Sequence, residues 1–290
     1  MTDSIEYIVD ASNAWSDEWG VVTYKTFREF HAFSQSRLKH MTSINAYVEE
    51  YKEPFEPTID TIIGDVVHLS VLEPQVPLMD RFSVIPEVNR RTKDGKAEYE
   101  RFEAQCKALN KQPISAENLA VAERMAENVK AHPLVQNLME GADTEVPLIW
   151  WDEDTSFACK GLLDIVRYEK RIIADLKTAP SCDVDAFARQ MGNLGYYLQP
   201  PMYIDGLAWT LECDPDEITF VWVIVEKKPP YEVAVYPYGQ HSIDLGRMEY
   251  KRRLKYARRF IDGDLPWLGK PITEETLELP VYLQKQLNRW

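Results

Sequence analysis

The chain predicts an α/β domain in which a central mixed β-sheet is flanked by helices. Three observations carry that expectation. Helical periodicity dominates residues 34–133, β-rich segments crowd residues 147–178, and a helix, two more β-rich segments and a last helix follow. That order places helices on a sheet that cannot be purely antiparallel.

Each element has its own signal. Residues 1–20 hold Asp3, Glu6, Asp10, Asp17 and Glu18 with no lysine or arginine, so they read either as a loose acidic arm or as an edge against a basic neighbour. Ser34 opens an expected helix through Leu38, Met41, Ile44 and Val48, which Pro54 and Pro57 stop. A second helix is expected from about Asp60, with Ile63, Val66, Val67 and Leu72 on its apolar face and Pro74 closing it; His68 lies inside and Glu73 at the end. Residues 75–112 are rich in Pro, Arg, Lys and Asp, and Arg90 to Lys96 reads as an exposed basic turn, either simply solvated or touching phosphate. Ser115 is an N-cap candidate for a helix carrying Leu119, Ala122, Met125, Ala126 and Val129. Strands are expected at 147–150, 157–166 and 172–178, with Asp152-Glu153-Asp154 as a turn. A helix from Asp185, with a possible interruption, then reaches Ile204. Residues 219–225 and 231–236, rich in β-branched and aromatic types, read as paired strands. The last helix starts near Ser242 and ends at Asp262-Gly263; its segment Lys251 to Arg259 holds six cations and no acid, which is either a solvated face or the wall of a phosphate-binding groove.

With 290 residues the expectation is an acidic arm at 1–30 and one domain at 31–290, comprising a helical part (31–140), an α/β core (145–262) and an extension (263–290). Forty-seven acids against 33 bases give a net charge of −14, which excludes a protein coated with positive charge but not an inward-facing basic groove. Cys106, Cys159, Cys182 and Cys213 are scattered without a CxxC pair, so free thiols in a reducing cytoplasm are expected, with no zinc or iron–sulfur centre. No apolar run is long enough to cross a membrane.

The chemistry concentrates between Lys160 and Lys177. Strand side chains alternate, so Asp175 and Lys177 share one face while Leu176 points to the other, and a turn near Glu169-Lys170-Arg171 can return Asp164 beside them. Two carboxylates and a lysine at a sheet edge can hold a divalent cation and face a phosphate. The same spacing also describes a surface hairpin with solvated acid–lysine pairs.

A wider set of motifs resembles the PD-(D/E)XK nuclease superfamily, which has a restriction-endonuclease-like core, and within it the phage and prophage exodeoxyribonuclease VIII (RecE-type) family. The set is Ser34-Gln35-Ser36-Arg37-Leu38, Gly64 to Pro74, Asn89 (more often aspartate in the family) before Arg90-Arg91-Thr92-Lys93, Cys159-Lys160-Gly161 through Asp164, Asp175-Leu176-Lys177-Thr178, Gly195 to Gln199 leading to Tyr203, Glu226-Lys227 with Pro229-Pro230-Tyr231, and Leu245-Gly246-Arg247. The resemblance spans residues 33–262. It implies a Mg²⁺ site, with Mn²⁺ as a substitute, formed by His68, Asp164, Asp175 and the Leu176 carbonyl. Lys177 would be the catalytic lysine, and Gln199 and Tyr203 would brace it or orient the scissile phosphate. On its own residues His68 would read as a hydrogen-bonded core histidine.

The same resemblance implies digestion of one strand of linear duplex DNA, 5'-to-3', leaving 3' single-stranded tails for recombination. It also implies a ring-like homo-oligomer around the DNA and a single-strand annealing protein as partner. Arg90, Arg91, Lys93, Lys160, Lys251, Arg252 and Lys255 are the expected DNA contacts. Two positions depart from the family. Leu162 replaces a usual arginine, leaving Lys160 or Arg167 to supply that contact, and Pro200-Pro201 sit between Gln199 and Tyr203, where the helix must kink or restart. Two other readings follow: a catalytically impaired DNA-end or protein-binding module on this fold, or a helicase-coupled or CRISPR-adaptation nuclease. The latter needs three cysteines after the Gln199–Tyr203 helix, where only Cys213 stands.

Overall fold

The computed structural model describes residues 10–11, 19–52 and 56–264. The first elements are β1 (Gly20–Val21), α1 (Tyr24–Glu29), β2 (Phe33–Ser34), α2 (Gln35–Leu38) and α3 (Ile44–Lys52). Next come α4 (Ile59–Leu72), α5 (Leu78–Arg81), β3 (Phe82–Val84), α6 (Lys93–Ala108), β4 (Gln112–Ile114), α7 (Ala116–Ala131) and α8 (Pro133–Met139). The sheet core is β5 (Asp143–Asp152), β6 (Phe157–Arg167), β7 (Ile172–Ala179), β8 (Thr219–Glu226) and β9 (Val233–Pro237), with α9 (Val184–Leu194) and α10 (Gln199–Leu211) inserted after β7 and α11 (Gln240–Ile261) at the end.

Among the described residues the main sheet has seven strands, in the order β1-β5-β6-β7-β8-β9 with β2 alongside β6. It is mixed because α9 and α10 carry the chain back to start β8 parallel to β7, whereas β5–β6, β6–β7 and β8–β9 are antiparallel. The alternation in β8 shows how both faces are used. Phe220, Trp222 and Ile224 pack with Met202, Leu207, Leu254 and Ala257 from α10 and α11. Val221, Val223 and Val225 pack with Ile63, Val66, Val67, Met125, Ala126 and Val129 from α4 and α7. Each large side chain so buried contributes roughly 1.5–3 kcal/mol. The close fit of α10 depends on Gly206, where a Cβ would stand 2.6 Å from the Trp150 ring.

Several boundaries differ from the sequence expectation. The helix expected from Ser34 is divided: Ser34 is extended and pairs in parallel with Lys160, and turns at 39–43 separate α2 from α3. Ser43 then starts α3 by accepting the Ala46 N–H at 3.1 Å. The segment read as loop holds the 16-residue α6, capped by Thr92 Oγ1 on the Gly95 N–H at 3.1 Å. Only Gly95 and Cys106 are buried in α6, so no apolar stripe announced it. Ser115 does cap α7, and Pro133, just past the end of α7, opens α8. Pro200 and Pro201 fall in the first turn of α10, where their missing N–H groups cost least; a 3₁₀ turn at Tyr196–Leu198 makes the restart.

Asp3, Glu6, Asp17, Glu18 and the extension beyond Asp264 lie outside the described residues. Asp10 is described and pairs with His31 at 3.2 Å. Cys106, Cys159, Cys182 and Cys213 are free thiols. Among the described residues no helix is long and apolar enough to cross a membrane.

Candidate active site

The site begins with a fork in the sheet. β6 pairs with β7 only at Ile165–Ala174, Val166–Ile173 and Arg167–Ile172. Near its other end β6 takes β2 instead, at Cys159 and Lys160. Residues 161–164 therefore have no strand neighbour on that edge, and Asp164 and Asp175 face each other one step past the last rung. The Asp164 carboxylate takes the place of the lost ladder by accepting the Leu176 N–H at 2.8 Å. Both aspartates are buried.

His68 reaches the fork because Val66, Val67 and Leu69 bury the face of α4 beside it. Its Nε2 donates to the Leu176 carbonyl at 2.7 Å, and its Nδ1 lies 3.7 Å from Asp164 Oδ2. Lys177, on the Asp175 face of β7, forms an ion pair with Asp175 and lies 5.2 Å from the Tyr196 ring. Burial alone would lower the Lys177 pKa, but Asp175 and Asp164 outweigh it and hold the ammonium charged. Burial and then Asp164 push the Asp175 carboxyl up, against the pull of Lys177.

The restart of α10 gives Gln199 its role, since its Nε2 donates to the Asp175 carboxylate from the first helical position. Tyr203, one turn on, lies against Gly161. Its phenol is raised well above the usual range by burial, then by Asp175 and Asp164. A Cβ at Gly161 would sit 2.6 Å from Tyr203 Cε1 and 2.9 Å from Cδ1. Gly161→Ala is accordingly expected to destabilise the protein by about 1–3 kcal/mol, read by urea denaturation; an unchanged midpoint would mean that the ring has room to move.

One acid escaped the sequence reading. Glu145 precedes the strand expected from Pro147, and no spacing rule marks it. The structure places its carboxylate in the cleft, grouped with His68 and Asp164. Burial, then Asp164 and Glu73, push it up to about 8, against an ordinary value of 4.5. Between those values the folded state binds more protons than the unfolded chain, so stability falls as pH rises. Without divalent cations the melting temperature should decline from about pH 5 to about pH 8. Glu145→Gln should flatten that decline, and an equal slope in the variant would exclude Glu145 as its source.

The other expected contacts are dispersed. Lys160 donates to the Phe27 carbonyl at 3.0 Å and the Phe30 carbonyl at 2.7 Å. Its pKa is lowered to about 8 by burial, then by Arg28 and Arg37. It lines a recess with Leu162 and Tyr203, whereas Arg167 bonds the Asn137 carbonyl beyond the fork. Lys251 is taken up by Asp152 and Asp154, and Arg252 by Glu249, on a face shared with Lys255. Arg90 lies 3.4 Å over the Tyr99 ring, while Arg91 and Lys93 are exposed. None of the seven expected DNA contacts lines the cleft, a space of about 740 Å³ whose cations among the described residues are Lys39, Arg81, Lys177 and Lys227. Ion pairs with acids distant in sequence redirect Lys251 in a way local composition cannot show.

The donors suit a small hard cation. His68 Nε2 and the Leu176 carbonyl are 2.7 Å apart, close to the edge of about 3 Å expected for an octahedron with bonds near 2.1 Å. A cation there would replace the Nε2 proton. Carboxylate oxygens of Glu145 and Asp164 lie within 4.8 Å of a His68 nitrogen and of each other. Oxygen donors with one imidazole fit Mg²⁺ or Mn²⁺.

Comparison with known proteins sets this geometry in a family. No curated protein matches the chain. Among solved structures, a candidate exonuclease from Eubacterium rectale superposes with a TM-score of 0.55 at 12% identity, covering 91% of this chain and 97% of the other. A phage-related exonuclease from Haemophilus somnus gives a TM-score of 0.30 at 12% identity, covering 69% and 95%. The first shows a shared fold. The sequence pattern of the family described as "PDDEXK-like domain of unknown function (DUF3799)" matches residues 22–265, and the chain belongs to that family.

Proposed function

We propose that this protein is a metal-dependent exodeoxyribonuclease of the RecE type, degrading one strand of linear duplex DNA 5'-to-3' and leaving 3' single-stranded tails for recombination. The observation that carries the reading is the convergence of His68, Asp164, Asp175, the Leu176 carbonyl and Lys177 at one fork in the sheet. His68, Asp164, Asp175 and Leu176 would hold Mg²⁺, or Mn²⁺ in its place. Such a cation supplies Lewis acidity toward a phosphate oxygen and acidity to water. Lys177 keeps a positive charge where negative charge develops on the phosphate in the transition state. Gln199 fixes the Asp175 carboxylate, and Tyr203 closes the apolar side of the site.

Lys39 and Lys227 flank the cleft and serve as the nearer phosphate contacts, in place of the arginine absent at Leu162. The protein would act in the cytoplasm as a ring-like homo-oligomer around the duplex, with a single-strand annealing protein taking the exposed tail. The test is a time course on linear duplex labelled at one 5' or one 3' end, beside a closed circle, with Mg²⁺, Mn²⁺ or EDTA. The expected result is stepwise loss of one strand from linear DNA, no loss from the circle, and silence in EDTA. Cleavage of the circle would make it an endonuclease. Tight end binding without cleavage would favour the impaired binding module.

A further inference from the structure

β5 and β6 pair on both sides of one position and not at it. Thr144 faces Ile165 and Val146 faces Leu163, but Glu145 makes no rung with Asp164. At that gap Glu145 has a φ of 52°, in the left-handed region where a Cβ crowds the following carbonyl. The turn carries its half-buried carboxylate into the cleft, within 4.8 Å of donor atoms on both His68 and Asp164. Among the described residues no hydrogen bond or ion pair holds it there. Arg81, whose charge reaches Glu145, is bonded to Glu73 at 2.9 Å.

Three unfavourable choices thus fall on one residue: a strained backbone, a carboxylate without a partner, and the negative charges of Glu73, Asp164 and Asp175 around it. Glycine or asparagine would satisfy the backbone at less cost. A divalent cation offsets the last two at once, and it is the ligand that the donors on the other side of the cleft already suit.

We infer that Glu145 is a direct ligand of the cation held by His68 and Asp164, and that the break in β5 serves to deliver it. This rests on the metal-dependent reading above. With Glu145 added, two carboxylates and an imidazole lie within 4.8 Å of one another, and the Leu176 carbonyl stands beside the imidazole. A site of that composition binds its cation before any DNA phosphate arrives, unlike Mg²⁺ sites completed by the substrate.

The test is calorimetric titration of MnCl₂ into the metal-stripped full chain without DNA, for the parent, Glu145→Gln, Glu145→Gly and Asp164→Asn. The parent should bind Mn²⁺ and Asp164→Asn should lose it. Both Glu145 variants should bind about tenfold more weakly or worse, since groups one shell further out already cost tenfold to a hundredfold. Melting curves separate ligation from a structural role. Without cation Glu145→Gly, freed of the left-handed strain, should melt above the parent, and the rise in melting temperature that Mn²⁺ gives the parent should shrink. Glu145→Gly decides the matter if the Gln variant fails to fold. Parent-like Mn²⁺ affinity in the Glu145 variants, beside a deficient Asp164→Asn, overturns the inference and leaves the metal-dependent reading standing. A parent that binds no Mn²⁺ overturns both.

Discussion

Asp164→Asn is expected to abolish strand cleavage, by about a thousandfold or more, while the folded structure survives. The amide retains an oxygen for the Leu176 N–H, so the fork keeps its closing hydrogen bond. The charge facing His68 and Asp175 is lost. Removing it also relieves repulsion on Asp175 and Glu145, both of whose carboxyls are pushed up in part by Asp164. The variant should therefore melt at or above the parent temperature in the absence of cations. Turnover within tenfold of the parent at saturating Mg²⁺, with matching circular dichroism, would falsify the assignment of Asp164 to the cation.

The second large effect is expected at Lys177. A methionine of similar length should lower the single-turnover cleavage rate by about a hundredfold to a thousandfold, with DNA affinity nearly unchanged. Lys177 is confined between the Asp175 carboxylate and the rings of Tyr196 and Trp222, a setting made for one fixed charge and not for a long flexible grip on the backbone. Its loss also removes the main force lowering the Asp175 pKa, so the pH at which the variant takes up Mn²⁺ should move upward. If affinity for DNA fell as far as the rate did, Lys177 would be an anchor and its placement beside Asp175 incidental.

What could be read in the sequence and what could not divide along one physical line. The placement of Asp164 opposite Asp175 follows from a strand period of two and a short turn, both local properties. The N-cap at Ser115 and the helix around His68 are local as well. That His68 turns toward Leu176 follows only from how α4 lies on the sheet, and at the sequence level it rested on the resemblance alone. Glu145 is harder still, because its position depends on a backbone departure within a strand that its neighbours continue on both sides. The α6 helix was missed because its stability comes from caps and intrinsic propensity more than from a buried stripe. Lys251 looked available because Asp152 and Asp154, about a hundred positions away, do not appear in its local composition.

The fork has one more consequence, for the order in which the molecule is assembled. The edge of β6 is shared between β2, which arrives from residue 33, and β7, which arrives from residue 174. The α10 helix that supplies Gln199 and Tyr203 comes later still. Pairings between such distant stretches of chain form late, because loop closure must precede any gain from the contact. The hairpin of β6 and β7 can thus exist early with its acids in place, while the cleft around them waits for Phe33 to meet Cys159. Pulse-labelling hydrogen exchange during refolding should find amides of 165–174 protected before those of 33–34 and 159–160. The arrangement is in that sense a property of distant stretches brought together, and no fragment lacking β2 or α10 should carry the site.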